Sequence, residues 1–351
     1  NPATGVWQPI KYAGTYGTNG FYLNFSDNSG ATSTTIGKDY SGNGNNWTPN
    51  NISVTSGVTY DSMIDVPTPY ADGGNGRGIY PVMNPLDKDT ARGTVDNANL
   101  RLYYPTYSTQ NSAAVRGSLE LTSGKWYFEF QSQIYAGIGN GASVAITTST
   151  QNLTAVGINY GTALSNYIGC QPSITNNAVT FVTSGYSSSL ADGTTLFASY
   201  ASGDIIGVAV DLSTGKIWIA KNNTWYNSGN PAAGTNATAT FTSPSGTTRP
   251  YFEAWTNSVN TNQSVVYPNF GQSPFTYTPP SGFNALNTQN LPTPTIAAGN
   301  KYMDATLYTG TGASLSVTNS ASSKPDLVWI KSRSAATNNK LTDSVRGTTK
   351  G

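Results

Sequence analysis

The sequence contains no histidine, and this absence limits the chemistry that the chain can perform. Ser-His-Asp and Cys-His catalysis both need an imidazole, as do His-ligated zinc and iron sites. Glutamate is scarce too, with Glu120, Glu129 and Glu253 as the only examples. None of them has a carboxylate two or four residues away in a Glu-x-Asp or Glu-x-x-x-Glu pattern, the strand spacing that suits a glycosidase pair. The sequence therefore predicts that the protein is not an enzyme.

Charge and cysteine are also scarce. Charged residues make up 10% of the chain and the net charge is +1, against roughly 25% charged residues in typical domains. This composition argues against a nucleic-acid partner, which would call for a basic surface. The single cysteine, Cys170, cannot form an intrachain disulfide and is predicted to be a small buried apolar residue.

Long apolar runs and regular metal-binding patterns are missing as well. The longest apolar run, residues 205–210, is far shorter than the roughly 20 residues of a membrane span, so no membrane insertion is predicted. The loop at residues 39–46 (DYSGNGNN) offers oxygen ligands for Ca²⁺, but it lacks regular Asp-x-Asn-x-Asp spacing and a final Glu. A turn held by Asx hydrogen bonds is the favoured interpretation, and Asp61, Asp65 and Asp72 are a weaker metal candidate. We predict no metal and no cofactor.

Short alternating or apolar runs, separated by clusters of Gly, Asn and Ser, are what the sequence does contain. No 12-residue window free of Gly and Pro shows helical periodicity, so the pattern predicts an all-β, antiparallel two-sheet sandwich. In residues 125–130 (KWYFEF), Trp126, Phe128 and Phe130 share one strand face. Residues 205–211 and 216–221 predict a hairpin. Further strands are predicted at residues 20–25, 251–255, 264–267, 302–308 and 326–331.

The order of these strands and the proline content predict four regions. Residues 1–112 form an N-terminal strand-and-loop region that packs partly on the sandwich, with residues 71–98 as a long surface excursion. Residues 113–283 form the β-sandwich itself. Residues 284–300 form a Pro-rich linker. Residues 301–351 are predicted to begin a small C-terminal β domain, whose remaining strands are expected from a continuing chain or from elsewhere.

Three segments of the predicted sandwich resemble SPRY (B30.2-type) domains. Residues 124–130 (GKWYFEF) are similar to an early strand of that family. Residues 203–211 (GDIIGVAVD), with 214–217 (TGKI) and Lys221-Asn222, resemble its central hairpin. Residues 269–275 (NFGQSPF) resemble its closing strand. The resemblance implies a concanavalin A-like jelly roll of two antiparallel sheets.

The flanking segments resemble bacteriophage tail-fibre and related virion proteins that carry SPRY-like modules. The similar segments are residues 39–47 (DYSGNGNNW), 60–68 (YDSMIDVPT), 84–87 (NPLD), 325–334 (PDLVWIKSRS) and 343–347 (DSVRG). This resemblance implies a virion structural protein at the virion surface, with copies of itself as partners. It implies a role in host recognition or in scaffolding, without a known ligand.

Exposed aromatic side chains beside amides suit sugars, which offer both CH faces and hydroxyl groups. Tyr167 and Tyr186 lie in a Ser/Asn-rich insert, and Asn222, Trp225 and Tyr226 lie on a predicted loop. We predict these five as candidate ligand-binding residues, with packing on the sandwich as the favoured interpretation for Trp225 and as an equal alternative for Tyr186. The functional hypotheses are a virion fibre subunit that binds a host-surface glycan or protein, an extracellular lectin, and a polysaccharide-degrading enzyme.

Overall fold

The computed structural model describes residues 12–55, 61, 65, 78–90, 92–104, 111–134, 141–148, 153, 156–158, 162–173, 177–243, 247–256, 264–292, 302–319 and 324–347. The chain divides into two compact units, Asn1–Leu291 and Pro292–Gly351, and each is described by itself. Within the described residues the structure is almost entirely β, with one short 3-10 turn at Tyr226–Ser228. No helix in this part of the chain is long and apolar enough to cross a membrane.

The described part of the first unit is built from strands that are mostly short. Those before the central hairpin are β1 (Met83–Lys88), β2 (Thr94–Asp96), β3 (Arg101–Tyr103), β4 (Asn111–Gly117), β5 (Lys125–Ile134), β6 (Ala142–Thr148), β7 (Val156–Gly157), β8 (Thr162–Ala163), β9 (Tyr167–Ser173), β10 (Ala178–Ser184), β11 (Ser187–Ser188) and β12 (Thr195–Phe197). The remaining strands are β13 (Ile205–Asp211), β14 (Lys216–Lys221), β15 (Thr224–Trp225), β16 (Ala239–Thr242), β17 (Thr248–Thr256), β18 (Ser264–Asn269) and β19 (Asn284–Ala285).

Two sheets form the sandwich, and their long strands are antiparallel. The seven-stranded sheet has the order β1-β4-β17-β6-β9-β10-β12, and the ten-stranded sheet has the order β11-β16-β14-β13-β5-β18-β3-β2 with β15 and β19 attached to β14 and β5. The short strand β19 runs parallel to β5, and β7 and β8 form a separate parallel pair. The predicted all-β, two-sheet antiparallel sandwich is therefore confirmed.

The core lies between the two sheets and follows from strand alternation. On β5, Trp126, Phe128 and Phe130 point inward, as predicted from their spacing. Phe130 stacks on Phe252 of β17 at 6.1 Å between ring centroids, which joins the two sheets. Burial of each such ring contributes about 1.5–3 kcal/mol to folding, so the paired aromatics are a large part of what holds the sheets together.

The predicted hairpin is also confirmed. β13 and β14 pair from Ile206 with Lys221 to Asp211 with Lys216. Ser213 and Thr214 donate their backbone N–H groups to the Asp211 carboxylate, which closes the turn between the two strands. Cys170 is buried in β9, as predicted, and burial raises the pKa of its thiol.

A second apolar layer covers the outer face of the ten-stranded sheet. Tyr127, Ala209 and Trp218 point outward from β5, β13 and β14 and pack against Phe283 and Phe275. After Phe283 the chain returns to the core, where Leu286 is fully buried between the sheets. The sandwich therefore extends beyond residue 283, and the first residues of the predicted linker belong to it. The linker positions 293–300 lie outside the described residues.

The region before β3 is less peripheral than the sequence suggested. Residues 71–98 were expected to run over the surface, yet Met83 is fully buried and β1 pairs with β4. β1 is the edge strand of its sheet, and edge strands tolerate proline, so Pro85 did not prevent strand formation. Positions 71–77 and 91 lie outside the described residues, as does most of the segment at residues 60–70.

Two predicted strands are absent from the described chain. In residues 20–25 the backbone forms hydrogen bonds with residues 39–45, many of them through side chains, and Phe25 has a φ of 53°, which breaks the extended run. Residues 302–308 are exposed along their whole length, so neither face of a strand there would be buried. In the second unit the predicted strand at residues 326–331 is present as β20 (Leu327–Ile330), paired with β21 (Lys340–Asp343).

Candidate functional site

The two buried glutamates lie on opposite sides of the sandwich. Glu129 of β5 is on the outer face of the ten-stranded sheet and accepts the N–H groups of Thr276 and Tyr277, both at 2.8 Å. The Tyr127 hydroxyl donates to the same carboxylate at 3.1 Å. The two bonds from Thr276 and Tyr277 hold that segment against the outer face of the sheet.

Glu253 of β17 is buried on the outer face of the seven-stranded sheet. Its carboxylate accepts the Ile158 N–H at 2.9 Å and the Tyr251 hydroxyl at 3.3 Å. Burial raises the pKa of the Glu253 carboxyl, and the neighbouring Ser112 hydroxyl and the Ile158 N–H offset part of that rise. Glu253 and Glu129 lie on the outer faces of different sheets and point away from each other. They therefore cannot act on one substrate as an acid–base pair.

Tyr167 and Tyr186 are buried, so the expectation of an exposed ring is wrong for Tyr167, and for Tyr186 the structure shows the packed alternative. Each is 6% exposed, Tyr167 in β9 and Tyr186 just before β11. Burial raises the pKa of Tyr167 to about 12. Both rings fill apolar clusters on the two sides of the seven-stranded sheet, where a ligand would have to displace core packing to reach a ring face.

Asn222, Trp225 and Tyr226 lie together in the turn that follows β14. Asn222 adopts a φ of 47°, donates its side-chain amide to Asp204 at 2.7 Å and accepts the Ile205 N–H at 2.9 Å. Trp225 is half-buried against Tyr127, and Tyr226 is half-buried against Phe197. The amide is thus engaged by residues at the start of β13, and the rings pack on the sandwich, which is the favoured interpretation of the sequence for Trp225.

An open groove in the N-terminal segment is lined by two tyrosines. We call it the tyrosine groove: it has a volume of about 600 Å³ and is lined by Tyr12, Ala13, Gly14, Thr15, Tyr16, Ser41 and Asn43. Tyr12 and Tyr16 meet edge to face at 5.2 Å between ring centroids, and more than half of the Tyr12 surface is exposed. The Tyr16 hydroxyl is buried and has no hydrogen-bond partner among the described groups.

The walls of the tyrosine groove are held by polar side chains rather than by an apolar core. The Asp39 carboxylate accepts four hydrogen bonds, from the N–H groups of Tyr22, Ser41 and Asn45 and from the Ser41 hydroxyl. Asn43 donates its side-chain amide to the carbonyls of residues 17 and 20. The Asx-held turn predicted for residues 39–46 is therefore confirmed.

These hydrogen bonds also set the electrostatics of the segment. Burial would raise the pKa of the Asp39 carboxyl, but the hydrogen bonds from residues 22, 41 and 45 outweigh burial and lower it to about 2. The carboxylate is thus charged and fully engaged at neutral pH. Among the described residues no group of three or more Cys, Asp or Glu side chains is arranged to hold a metal ion. Asp61 and Asp65 accept backbone N–H groups, and Asp72 lies outside the described residues.

The residues of the tyrosine groove were not among the sequence candidates. Tyr12 and Tyr16 stand in a Gly-rich stretch without alternation, and nothing local shows that Ser41 and Asn43 come to lie beside them. The sequence feature that could have indicated the groove is the Asn/Gly-rich run at residues 42–46. The side-chain amides of Asn43 and Asn45 donate to the carbonyls of residues 17 and 18, more than 20 positions earlier in the chain.

Solved structures of SPRY domains are similar to the described sandwich. The SPRY domain of human HERC1 aligns at 12% identity with a TM-score of 0.34, covering 53% of this chain and 96% of that domain. The TRIM65 PSpry domain aligns at 9% identity with a TM-score of 0.33, covering 54% of this chain and 91% of that domain.

A second similarity concerns the C-terminal region alone. Residues 298–351 match a family described as "Domain of unknown function (DUF7483)". No curated protein matches the chain.

Proposed function

We propose that the chain is a non-catalytic structural and adhesion protein of a virion surface fibre that recognises a neutral host-surface glycan through the tyrosine groove. The observation that carries the proposal is the edge-to-face pair of the Tyr12 and Tyr16 rings at an open groove. Aromatic faces pack on the CH groups of a sugar ring.

The charge around the groove favours a neutral ligand over an ionic one. The lining contains no Lys, Arg, Asp or Glu, and the nearest carboxylate, Asp39, already accepts four hydrogen bonds from the protein. A phosphate or a sulfated sugar would meet no cation here, and a nucleic acid would meet no basic surface. The virion location is supported by the resemblance of residues 39–47 and 325–334 to phage fibre proteins.

The non-catalytic part of the proposal is supported by the placement of the glutamates. Glu129 and Glu253 point outward from opposite sheets and both hold backbone N–H groups. Glu120, the third glutamate, forms an exposed ion pair with Arg249 at 2.5 Å.

Copies of the same chain are the second proposed partner. In the second unit β20 exposes four consecutive apolar side chains, with Trp329 68% and Leu327 58% exposed. A two-stranded sheet is marginally stable alone, and further strands from a neighbouring copy would pair with its open edges and cover these side chains. Fibres are built from repeated subunits, so this arrangement suits the proposed role.

Glycan binding is tested with the fluorescently labelled full chain on a printed array of bacterial surface polysaccharides. We expect selective binding that Tyr12→Ala and Tyr16→Ala each weaken at least tenfold, because each change removes one of the two aromatic rings of the groove. Tyr302→Ala is the matched control, since Tyr302 is an exposed aromatic of the other unit.

The alternatives predict different results in the same experiment. Binding that is equal for wild type and both groove variants would disprove the role of the groove. A stable monomer by sedimentation, with glycan binding intact, would favour the extracellular lectin over the fibre subunit. Release of sugar fragments from the polysaccharides would identify a degrading enzyme and contradict both binding functions.

A further inference from the structure

The outer edge of β20 has no strand beside it in the part of the chain that the structure describes. β20 and β21 form a sheet of only two strands, and residues 302–319 of the same unit contain no strand. A two-stranded sheet is marginally stable alone, whereas a sheet of three or more strands with an apolar face can be stable. The hairpin therefore gains stability from any strand that is added at an open edge.

The backbone of β20 offers hydrogen-bonding groups at this edge. The Asp326 carbonyl accepts the N–H of Ser344 across the hairpin at 2.8 Å. Backbone groups alternate in direction along an antiparallel strand, so Val328 also turns its N–H and C=O toward β21. Leu327 and Trp329 turn theirs outward, where a further strand can donate and accept hydrogen bonds.

The two edges of the hairpin differ in charge. β20 consists of four apolar residues, and all four are exposed. β21 begins with Lys340 and ends with Asp343, and charged residues on an edge strand oppose pairing with another chain. Strand addition is thus favoured at β20 over β21.

The charges at the two ends of the hairpin determine the direction of an added copy of β20. Three cationic side chains lie at the end where β20 finishes and β21 begins: Lys331, Arg333 and Lys340. Two acidic and two cationic side chains lie at the other end: Lys324, Asp326, Asp343 and Arg346. A parallel copy brings two tricationic ends together, whereas an antiparallel copy places each of them beside an end whose charges cancel. Charge therefore favours an antiparallel pair.

We propose that β20 pairs with β20 of a second copy of this chain around a two-fold axis, with Val328 of one copy opposite Val328 of the other. The two hairpins then form one four-stranded antiparallel sheet. Leu327 of each copy lies opposite Trp329 of the other on one face of that sheet. The pair uses the same surface on both copies and closes on itself, as two-fold interfaces do. This pairing rests on the proposed function, because it specifies how copies of the chain meet.

The position of the two-fold axis follows from which residues can form the new hydrogen bonds. With Val328 on the axis, these residues are Leu327 and Trp329, and both lie within β20. A register moved one way calls on Lys331, which lies beyond the end of the strand. A register moved the other way calls on Pro325, which has no N–H to donate.

Val328→Cys tests the pairing directly. Opposed residues that do not hydrogen-bond to each other in an antiparallel pair have Cα atoms about 4.5 Å apart, within reach of a disulfide. We expect the full chain with Val328→Cys to form a covalent dimer in an oxidising glutathione buffer, seen on a non-reducing gel. Thr342→Cys is the matched control and should stay monomeric, because Thr342 is opposite Val328 within the hairpin but lies on β21. Cys170 is buried and does not contribute.

A charge at the same position gives a second measurement. We expect sedimentation velocity of the full chain to show dimers that form as the protein concentration rises. Val328→Lys should raise the dimer dissociation constant at least tenfold, because it places two like charges opposite each other. Thr342→Lys puts the same charge on the same face of β21 and should change the constant by less than about twofold.

The outcomes separate this pairing from the proposed function. Association that Val328→Lys leaves unchanged, without a Val328→Cys dimer, would overturn the pairing and keep copies of the chain as partners. Equal cross-linking by Val328→Cys and Thr342→Cys would also overturn it, since β21 would then lie at the interface. A chain that stays monomeric at every concentration would overturn both the pairing and the fibre assembly, whereas the array tests the tyrosine groove independently.

Discussion

A single carboxylate organises the N-terminal segment. The N-terminal segment is held by hydrogen bonds to Asp39 rather than by an apolar core. The two carboxylate oxygens accept hydrogen bonds from the N–H groups of residues 22, 41 and 45. A buried carboxylate with so many donors is stabilised in its charged form and resists protonation. The geometry of the tyrosine groove therefore depends on the charge of one side chain.

This dependence predicts a response to acid. The pKa of Asp39 is about 2 in the folded segment and near 3.9 in an unfolded chain, so its stabilising contribution is present above about pH 4 and is lost as the pH falls toward 2. The amide cross-peaks of Ser41 and Asn45 in ¹⁵N-edited NMR spectra should hold their positions from pH 7 to about 4 and move or broaden below that.

Asp39→Asn supplies the matched comparison. It keeps the size of the side chain and replaces one accepting oxygen by an NH₂ group that faces N–H donors. We expect the Ser41 and Asn45 cross-peaks of this variant to be displaced already at neutral pH and to change little with acid. A wild-type transition centred near pH 4 would contradict the low pKa.

Glycine decides how closely two central strands can approach. At Gly169 in β9, a Cβ atom would lie 2.1 Å from the Val144 carbonyl oxygen and 2.5 Å from Ala145 Cα in β6. Both obstacles are backbone atoms, so they cannot move without breaking the β6–β9 pairing. This position therefore has no room for any side chain.

We expect Gly169→Ala to destabilise the sandwich by more than about 2 kcal/mol, in the range of severe overpacking of a core. Urea unfolding followed by tryptophan fluorescence measures the change. Gly310→Ala is the control, because a Cβ atom at Gly310 meets nothing within 4 Å. Equal midpoints for the two variants would show that the strands can separate to accept a methyl group.

Strand elements were predictable where alternation and a buried face coincide. β5, β13 and β14 were predicted correctly because their aromatic and branched residues alternate in sequence and face a core. The alternation at residues 20–25 has no such face to bury, and an Asp39 hydrogen bond fixes that backbone instead. The groove residues Tyr12 and Tyr16 were not predicted, because the loop with Ser41 and Asn43 is brought beside them by hydrogen bonds between residues more than 20 positions apart.

The chain divides into two compact units, Asn1–Leu291 and Pro292–Gly351. The first contains the complete two-sheet core, and the last part of that unit contributes Leu286 to it and Phe283 to the outer layer. The C-terminal segment of the first unit is therefore part of the sandwich.

A pair of shortened chains tests this division. We expect a chain of residues 1–291 to melt within about 2 °C of the full-length sandwich transition. A chain of residues 1–280 lacks Phe283 and Leu286 and should melt many degrees lower or fail to fold, since losing a buried leucine alone costs about 2–5 kcal/mol. Differential scanning calorimetry makes the comparison, and equal melting of the two shortened chains would place Leu286 outside the core.

The bonds from Thr276 and Tyr277 to Glu129 span 147 and 148 positions of sequence, and they affect the timing of folding. A ribosome must synthesise this late segment before the centre of the ten-stranded sheet can be covered, so the outer faces of β5 and β13 stay uncovered until then. Long-range closure of this kind slows folding and leaves apolar strands available for wrong pairing. The nascent chain therefore exposes these apolar strand faces until residue 286 has been added.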